Sequence, residues 1–525
     1  MLFNSLRLSR WFCLNFVDTL NVIIYYIYCH MNSLNLDFLL ESIHSLAFVN
    51  PFAGQRDEIE GNIISQMGRT EKPWIRNSKF TNEFNQVLYW VEQAEQSLLS
   101  GMAKGYGSPV RAEQMASLAY FSLYHELVDD LDALIESEKS DSIANRKLFK
   151  KIESGIKQRR PLVSGARSVM WENPAHIFAC FYQLRRAFLC LFNEIVGWSE
   201  PMRALRVRVW ESVFTKDMLS YQQWMHESVG RFPTLILGPT GSGKEIVARA
   251  IGLSRFIPYD PSSGQFASNP IKSFCPVNLS ALTETLIESE LFGHRKGSFT
   301  GAMRDHAGIF KTAGQYGTVF LDEIGEVPES IQVKLLRILQ SGEFQPIGGD
   351  APSFYEGKII AATHRDLGEQ VRDGGMREDF FYRLCGDQVN TIGLQDILAS
   401  SPKEIVNSVH YICTKLFGSD GAKELSSKVV SKLESVLPLH YSWPGNFREL
   451  EQAVRNIIVH DEFVPLVNTD ENEEDIEGIY ARSQVTLSRW NQIYAKKAYE
   501  NTGSYREAAR RLDADQRTIK KLVVG

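Results

Sequence analysis

"PTLILGPTGSGKEIVARAIG", residues 233–252, decides the fold. An apolar strand runs into a glycine-rich turn and then into a helix. Gly238, Gly241 and Gly243 let the backbone curl so that its N–H groups face a phosphate chain at a helix N-terminus, with Pro239, Thr240 and Ser242 between them. Lys244 follows, placed to reach the terminal phosphates. This is a P-loop, and the flanking strand and helix are the context it requires. Glu245 stands where a Ser or Thr hydroxyl usually ligates Mg²⁺, so the metal that accompanies ATP needs another carboxylate.

That carboxylate is found in "GTVFLDEIGE" (317–326), an apolar strand ending in Asp322 and Glu323. Asp322 is predicted beside the metal shell, and Glu323 can polarise a water for in-line attack on the γ-phosphate. A further strand, "GKIIAATHRDL" (357–367), ends in Thr363 and His364, polar residues where the carboxyl edge of a sheet meets nucleotide. "MREDFFYRL" (376–384) carries Arg377 and Arg383, either of which can neutralise charge on a neighbouring subunit's nucleotide. "YSWPGNFRELEQAVRN" (441–456) places Arg448 in the first turns of a helix, a position that suits an anion better than the helix dipole. One stretch fits no regular element. In "HRKGSFTGAMRD" (294–305), Gly297 and Gly301 weaken helix and strand alike and Phe299 has no apolar neighbour at a useful spacing, which predicts an exposed aromatic on a flexible loop.

Together these motifs resemble the AAA+ domain of bacterial enhancer-binding proteins, the activators of sigma-54 RNA polymerase, over residues 231 to 458. "LGPTGSGKE" resembles that family's Walker A, including its Glu after the Lys. "ESELFGHRKGSFTGA" resembles its signature surface loop, "GTVFLDEIGE" its Walker B, "AATHRDL" its first sensor, "REDFFYRL" its arginine-finger segment and "WPGNFRELEQ" its second sensor. The resemblance implies that Lys244 binds phosphate, Asp322 holds magnesium, Glu323 activates water, Arg383 with Arg377 acts in trans, and His364 and Arg448 sense nucleotide. It further implies that Gly297, Ser298, Phe299, Thr300, Gly301 and Ala302 contact sigma-54, and that the chain works as a homo-oligomeric ring, a hexamer. Three departures stand out: Ser298 replaces the usual Ala, His364 the usual Asn, and residues 391–405 lack the usual proline-rich, arginine-containing run.

The chain ends in "YENTGSYREAARRLDADQRTIKKLVVG" (499–525), two short helices split near Asp513–Asp515. Ala508, Ala509 and Leu512 are predicted to pack the first and Ile519 and Leu522 the second, leaving Arg517, Thr518, Lys520 and Lys521 for DNA. This resembles the Fis-type helix-turn-helix of the same family and implies binding to upstream enhancer DNA. Residues 82–230 carry apolar positions at three- and four-residue spacings, with no strand–helix alternation of a receiver domain. Asp129, Asp130 and Asp132 are expected to form a solvated helix face there.

The fold class is therefore multidomain. Residues 1–30 are a doubtful leader, which we read as upstream sequence with Met31 as the start, against a membrane anchor or a packed helix. An α-helical regulatory domain (31–210), an α/β P-loop ATPase core (211–390), an α-helical lid (391–465), an acidic linker (466–482) and a three-helix helix-turn-helix domain (483–525) follow. A length of 525 residues with 44% hydrophobic and 23% charged residues fits several globular domains. The formal charge of −6 excludes a chain that coats nucleic acid along its length, so DNA contact needs a local basic patch. Seven scattered cysteines without a CxxC pair point to reduced thiols in a cytoplasm. The expected function is an ATP-dependent transcription activator that remodels sigma-54 RNA polymerase holoenzyme and answers to an unknown signal or partner at the helical domain. A nucleotide-sensing DNA-binding repressor and a general AAA+ remodelling ATPase are the alternatives.

Overall fold

Thr234, Leu235, Ile236 and Leu237 extend as a strand because a buried run of this kind has both faces to cover. The computed structural model describes residues 33–68, 81–101, 108–137, 141–167, 169–437, 441–465 and 487–524. The doubtful leader and the acidic linker lie outside them. Among the described residues the strands are β1 (Thr234–Leu237), β2 (Tyr259–Asp260), β3 (Gln265–Phe266), β4 (Phe274–Asn278), β5 (Thr318–Asp322), β6 (Glu343–Phe344), β7 (Ser353–Phe354), β8 (Lys358–Thr363) and β9 (Asp387–Asn390). Five form one parallel sheet in the order β4-β5-β8-β1-β9, so β8 lies between the P-loop strand and the Asp322 strand. The register sets Leu237 beside Thr363, Asp322 beside Ala362, and Asn278 beside Asp322. All the candidate chemistry of the strands therefore emerges along one carboxyl edge.

Helices cover the faces of that sheet. Leu235, Val319, Leu321 and Ala361 pack with Phe310, Leu335 and Phe380 in one continuous core. The chain divides into two compact units, up to Ser408 and from Val409 onward, and the ATPase sheet shares the first with the helical N-terminal segment. That segment includes the helices Ser33–Leu46, Asn82–Leu99, Pro109–Glu126, Val128–Glu136, Ser142–Gln158, Pro174–Glu194 and Glu200–Phe214. Thr81, Ser108, Asp141 and Asn173 each cap a helix start by accepting a main-chain N–H.

The expectation of a solvated acidic face at Asp129–Asp132 is corrected in part. Asp130 pairs with the exposed Lys151, but Asp132 is 3% exposed and takes a bidentate bond from the buried Arg185. A short helix that buries its Leu131 side turns Asp132 inward as well, and only a matching guanidinium makes that tolerable. A second buried carboxylate, Glu95, is held by Arg159, which also bonds Ser122 and Glu126.

The helical segment grips the ATPase core mostly by the backbone. Asn145 donates to the Gly264 carbonyl at 3.1 Å, Arg146 to Ser262 at 2.8 Å and Gln183 to Ser254 at 3.0 Å. Arg186 donates to the carbonyls of Leu253 and Arg255, at the end of the P-loop helix Lys244–Leu253. The β2–β3 hairpin adds Tyr259 and Phe266, which pack edge-on and tilted against Phe178.

The second unit contains the helices Ser419–Val436 and Asn446–His460 and a C-terminal trio, Leu487–Thr502, Tyr505–Arg511 and Gln516–Val524. Ala495, Ala508, Ala509 and Ile519 are the buried centre of the trio, with Leu512 and Leu522 packed against them. Tyr499 and Tyr505 stack at 4.1 Å across the first turn of chain between its helices. Among the described residues no helix is long and apolar enough to cross a membrane.

Candidate nucleotide site and surface loop

The loop after β1 is built by conformations that only glycine adopts cheaply. Gly241 and Gly243 have φ of 76° and 88°, and Gly238 has φ of 152°. A Cβ on Gly238 would meet Thr391 Oγ1 at 2.0 Å, so that position also lacks room for a side chain. Lys244, 7% exposed, begins the helix and folds its Nζ back onto the carbonyls of Gly238 and Pro239, at 3.0 and 3.2 Å. Ser242 donates to Pro239 O at 2.7 Å and shares a 2.6 Å hydrogen bond with Thr391. Thr391 N–H donates to Leu237 O at 2.8 Å, and its hydroxyl, 3.2 Å from the same oxygen, can direct its one proton there or to Ser242. This pin on the P-loop was not anticipated from the sequence.

Asp322 and Glu323 stand at the end of β5, across β8 from this loop. Asp322 is half-buried, and burial, then the charge of Glu323 and of Glu245, hold its carboxyl above the ordinary range while Lys244 pulls it down. Among the described residues no group of three or more His, Cys, Asp or Glu side chains is set to hold a metal by itself, so Asp322, a hard oxygen donor, would share Mg²⁺ with the nucleotide and water. Glu323 has φ of 57°, a left-handed conformation unusual for a side-chain-bearing residue and of the kind found at functional sites. Its Oε2 accepts a 2.9 Å hydrogen bond from His364 Nδ1. The fold thus brings Lys244, Glu245, Asp322, Glu323 and His364 together, with Thr363 buried behind them.

The two arginines of 376–384 differ. Arg377 is bonded to Asp379 and Glu329, whereas Arg383 is exposed on the helix Glu378–Leu384 and makes no ion pair among the described residues. Arg448 is exposed in the first turn of Asn446–His460, within the second unit. Arg517, Thr518, Lys520 and Lys521 are all exposed on the last helix, while Ile519 between them is buried.

The stretch around GSFTGA is a small hairpin rather than a shapeless loop. His294 and His306 bond each other's main chain, Arg295 pairs with Asp305, and Asp305 also accepts the Lys296 N–H. Gly297 N–H donates to Ala302 O at 2.9 Å, closing the tip, and Thr300 is exposed. The expectation of an exposed Phe299 is corrected: the ring is half-buried, edge-on to His294 with centroids 4.9 Å apart. An apolar ring beside an imidazole face gains contact that water does not offer.

A parallel sheet with a P-loop at β1, an acidic pair at β5 and a polar end at β8 defines a P-loop ATPase of the AAA+ class. Residues 213–390 match the family described as the sigma-54 interaction domain. The chain is 41% identical over 222 residues to the DNA-binding transcriptional regulator NtrC of Azospirillum brasilense, covering 42% of each chain. It is 42% identical over 237 residues to the Nif-specific regulatory protein of Klebsiella pneumoniae, covering 45% of this chain and 41% of that one. With the nitrogen fixation protein AnfA of Azotobacter vinelandii it shares 32% identity over 335 residues, 62% of this chain and 56% of that one. The chain thus spans about half the length of the curated relatives it matches.

Proposed function

We propose that this chain is an ATP-driven transcription activator that binds upstream DNA, assembles as a ring and remodels sigma-54 RNA polymerase for open-complex formation. The observation that carries the reading is the GSFTGA hairpin, closed at its tip by Gly297 N–H to Ala302 O, on a core whose residues 213–390 match the sigma-54 interaction domain. Gly297, Ser298, Phe299, Thr300, Gly301 and Ala302 are its contact residues for sigma-54.

The P-loop backbone and Lys244 bind the phosphates of ATP, and Arg448 and His364 respond to the nucleotide. Asp322 would hold Mg²⁺, which when bound neutralises charge developing between the β- and γ-phosphates. Glu323 orients and deprotonates the attacking water, with His364 fixing its carboxylate. Arg383, exposed and without an ion pair among the described residues, serves as the finger toward a neighbouring subunit's nucleotide, and Arg377, held by Asp379 and Glu329, braces the helix that carries it. Hydrolysis then lifts the hairpin, drawing Phe299 off His294 and presenting it to sigma-54. Arg517, Thr518, Lys520 and Lys521 supply the DNA contacts of a helix-turn-helix.

Phe299→Ala and Thr300→Val test the reading. Both variants are expected to keep most ATP hydrolysis and to lose open-complex formation, with sigma-54 binding weakened about tenfold or more in the presence of a transition-state analogue. Normal sigma-54 binding and transcription by both would overturn it.

A further inference from the structure

The helical segment and the ATPase core line a half-open cavity of about 350 Å³ that plays no part in the nucleotide chemistry. One wall comes from the helices Val128–Glu136 and Pro174–Glu194, the other from Leu253 and from residues 266–271 following the β2–β3 hairpin. Most of the lining is apolar, with Leu134, Leu189 and Leu253 facing Tyr182 and Phe266, whose rings stack at 4.2 Å. A dry cavity of about 150 Å³ accepts one benzene ring, so this one has room for a body of about two rings.

One lining residue is charged and buried. Arg186 is 4% exposed, and its guanidinium lies 4.8 Å over the Tyr182 ring. Nε and Nη2 are satisfied by main-chain carbonyls, whereas Nη1 has no hydrogen-bond partner and is itself buried, so a ligand oxygen reaches it once the guanidinium turns toward the cavity. Its neighbour Arg185 is paired with Asp132, and the buried Arg159 with Glu95. Among the described residues Arg186 has no such carboxylate. A guanidinium taken out of water without a counter-charge is unfavourable, and an arriving anion would offset part of that penalty. Glu136 and Glu194 also line the cavity and repel any ligand of high negative charge.

We propose that this cavity binds a small organic monocarboxylate with an apolar, one- or two-ring body, the carboxylate received by Arg186 and the rings by the Tyr182–Phe266 wall. Because Arg186 also holds the last carbonyls of the P-loop helix, a ligand that engages it bears on the element whose other end cradles phosphate.

Calorimetric titration of the full chain with benzoate, phenylacetate and 2-naphthoate, without ATP, DNA or sigma-54, tests the site. At least 2-naphthoate should bind saturably, one per chain, and the isosteric neutral 2-naphthamide about tenfold more weakly, since a charge-assisted hydrogen bond is lost. Arg186→Gln should bring acid and amide to equal affinity. Because that variant removes two bonds to the core, Leu134→Trp provides a second route: it fills the cavity from the wall opposite Leu253, and in a chain that still melts cooperatively it should abolish binding of the acid. Absence of saturable binding by all three acids, equal binding of acid and amide by the native chain, or unchanged binding in folded Leu134→Trp would each overturn the proposal. None of these outcomes touches the activator reading, which rests on the hairpin and the nucleotide site.

Discussion

Two glycine-bearing loops of the ATPase core differ in what surrounds them. In the P-loop, a Cβ on Gly238 would strike Thr391, and the neighbouring Ser242 hydroxyl is already engaged by the same threonine. At the tip of the 294–306 hairpin, Gly297 and Gly301 hold φ of 82° and 105°, yet a Cβ on either would meet nothing within 4 Å. The same residue type answers two different demands. At Gly238 glycine is needed for space and conformation, at Gly243 and at the hairpin tip for conformation alone. A walled loop suits a ligand that must be gripped in one geometry, and an unwalled one suits a segment that changes position while its base stays paired.

The contrast can be broken on its walled side by the residue that performs no gripping. Glu323→Ala should reduce ATP turnover by about 10²–10⁴-fold while nucleotide affinity is kept, since the cradle is intact and only the base is gone. Phosphate release set against nucleotide titration checks this, and turnover within a fewfold of the native value would remove Glu323 from the chemistry. Gly238→Ala should weaken nucleotide binding about a hundredfold, because the loop must move away from Thr391 before phosphate can enter. Thr391→Val keeps the shape and deletes the hydroxyl that touches Ser242 and Leu237 O, so a loss of about three- to tenfold in nucleotide affinity is expected. Gly301→Ala should be the mildest, lowering stability by about 1–2 kcal/mol through strain alone in a denaturant titration. A larger loss there would mean that the hairpin tip is confined after all.

The P-loop and the Asp322–Glu323 pair were legible because their chemistry is written in neighbouring residues of a strand and the turn that follows. Thr391 was not, since its contact with Ser242 spans 149 residues and exists only because β9 pairs beside β1. The sequence offered a weak sign in a threonine directly after a strand, which is easily taken for an ordinary strand end. Phe299 was misjudged for a related reason: His294, five residues away, comes under its ring only once the hairpin closes on His306. The inward turn of Asp132 depends on Arg185 from another helix, and acidic runs on amphipathic helices carry no mark of such a partner. The cavity lined by Arg186 likewise draws on five separate stretches of chain.

Asn145, Arg146, Gln183 and Arg186 all address carbonyl oxygens of the ATPase core, and a carbonyl is the same whatever residue bears it. The core side chains at Leu253, Ser254 and Ser262 can therefore change without erasing these bonds, provided the local backbone keeps its path, whereas Gly264, at φ of 73°, cannot, since a Cβ there would meet Arg146 at 2.5 Å. At these four contacts the choice of partner lies with the helical side, while elsewhere in the seam the core takes part by its side chains, Asp387 accepting from Arg208 and Ser212 and Glu404 from the Trp198 and Ser199 N–H groups. A helical segment carrying those four side chains at the same spacing could be grafted onto a related core that keeps acceptors at the positions of Asp387 and Glu404, while loss of any one of the four leaves a core carbonyl that no substitution within the core can easily satisfy.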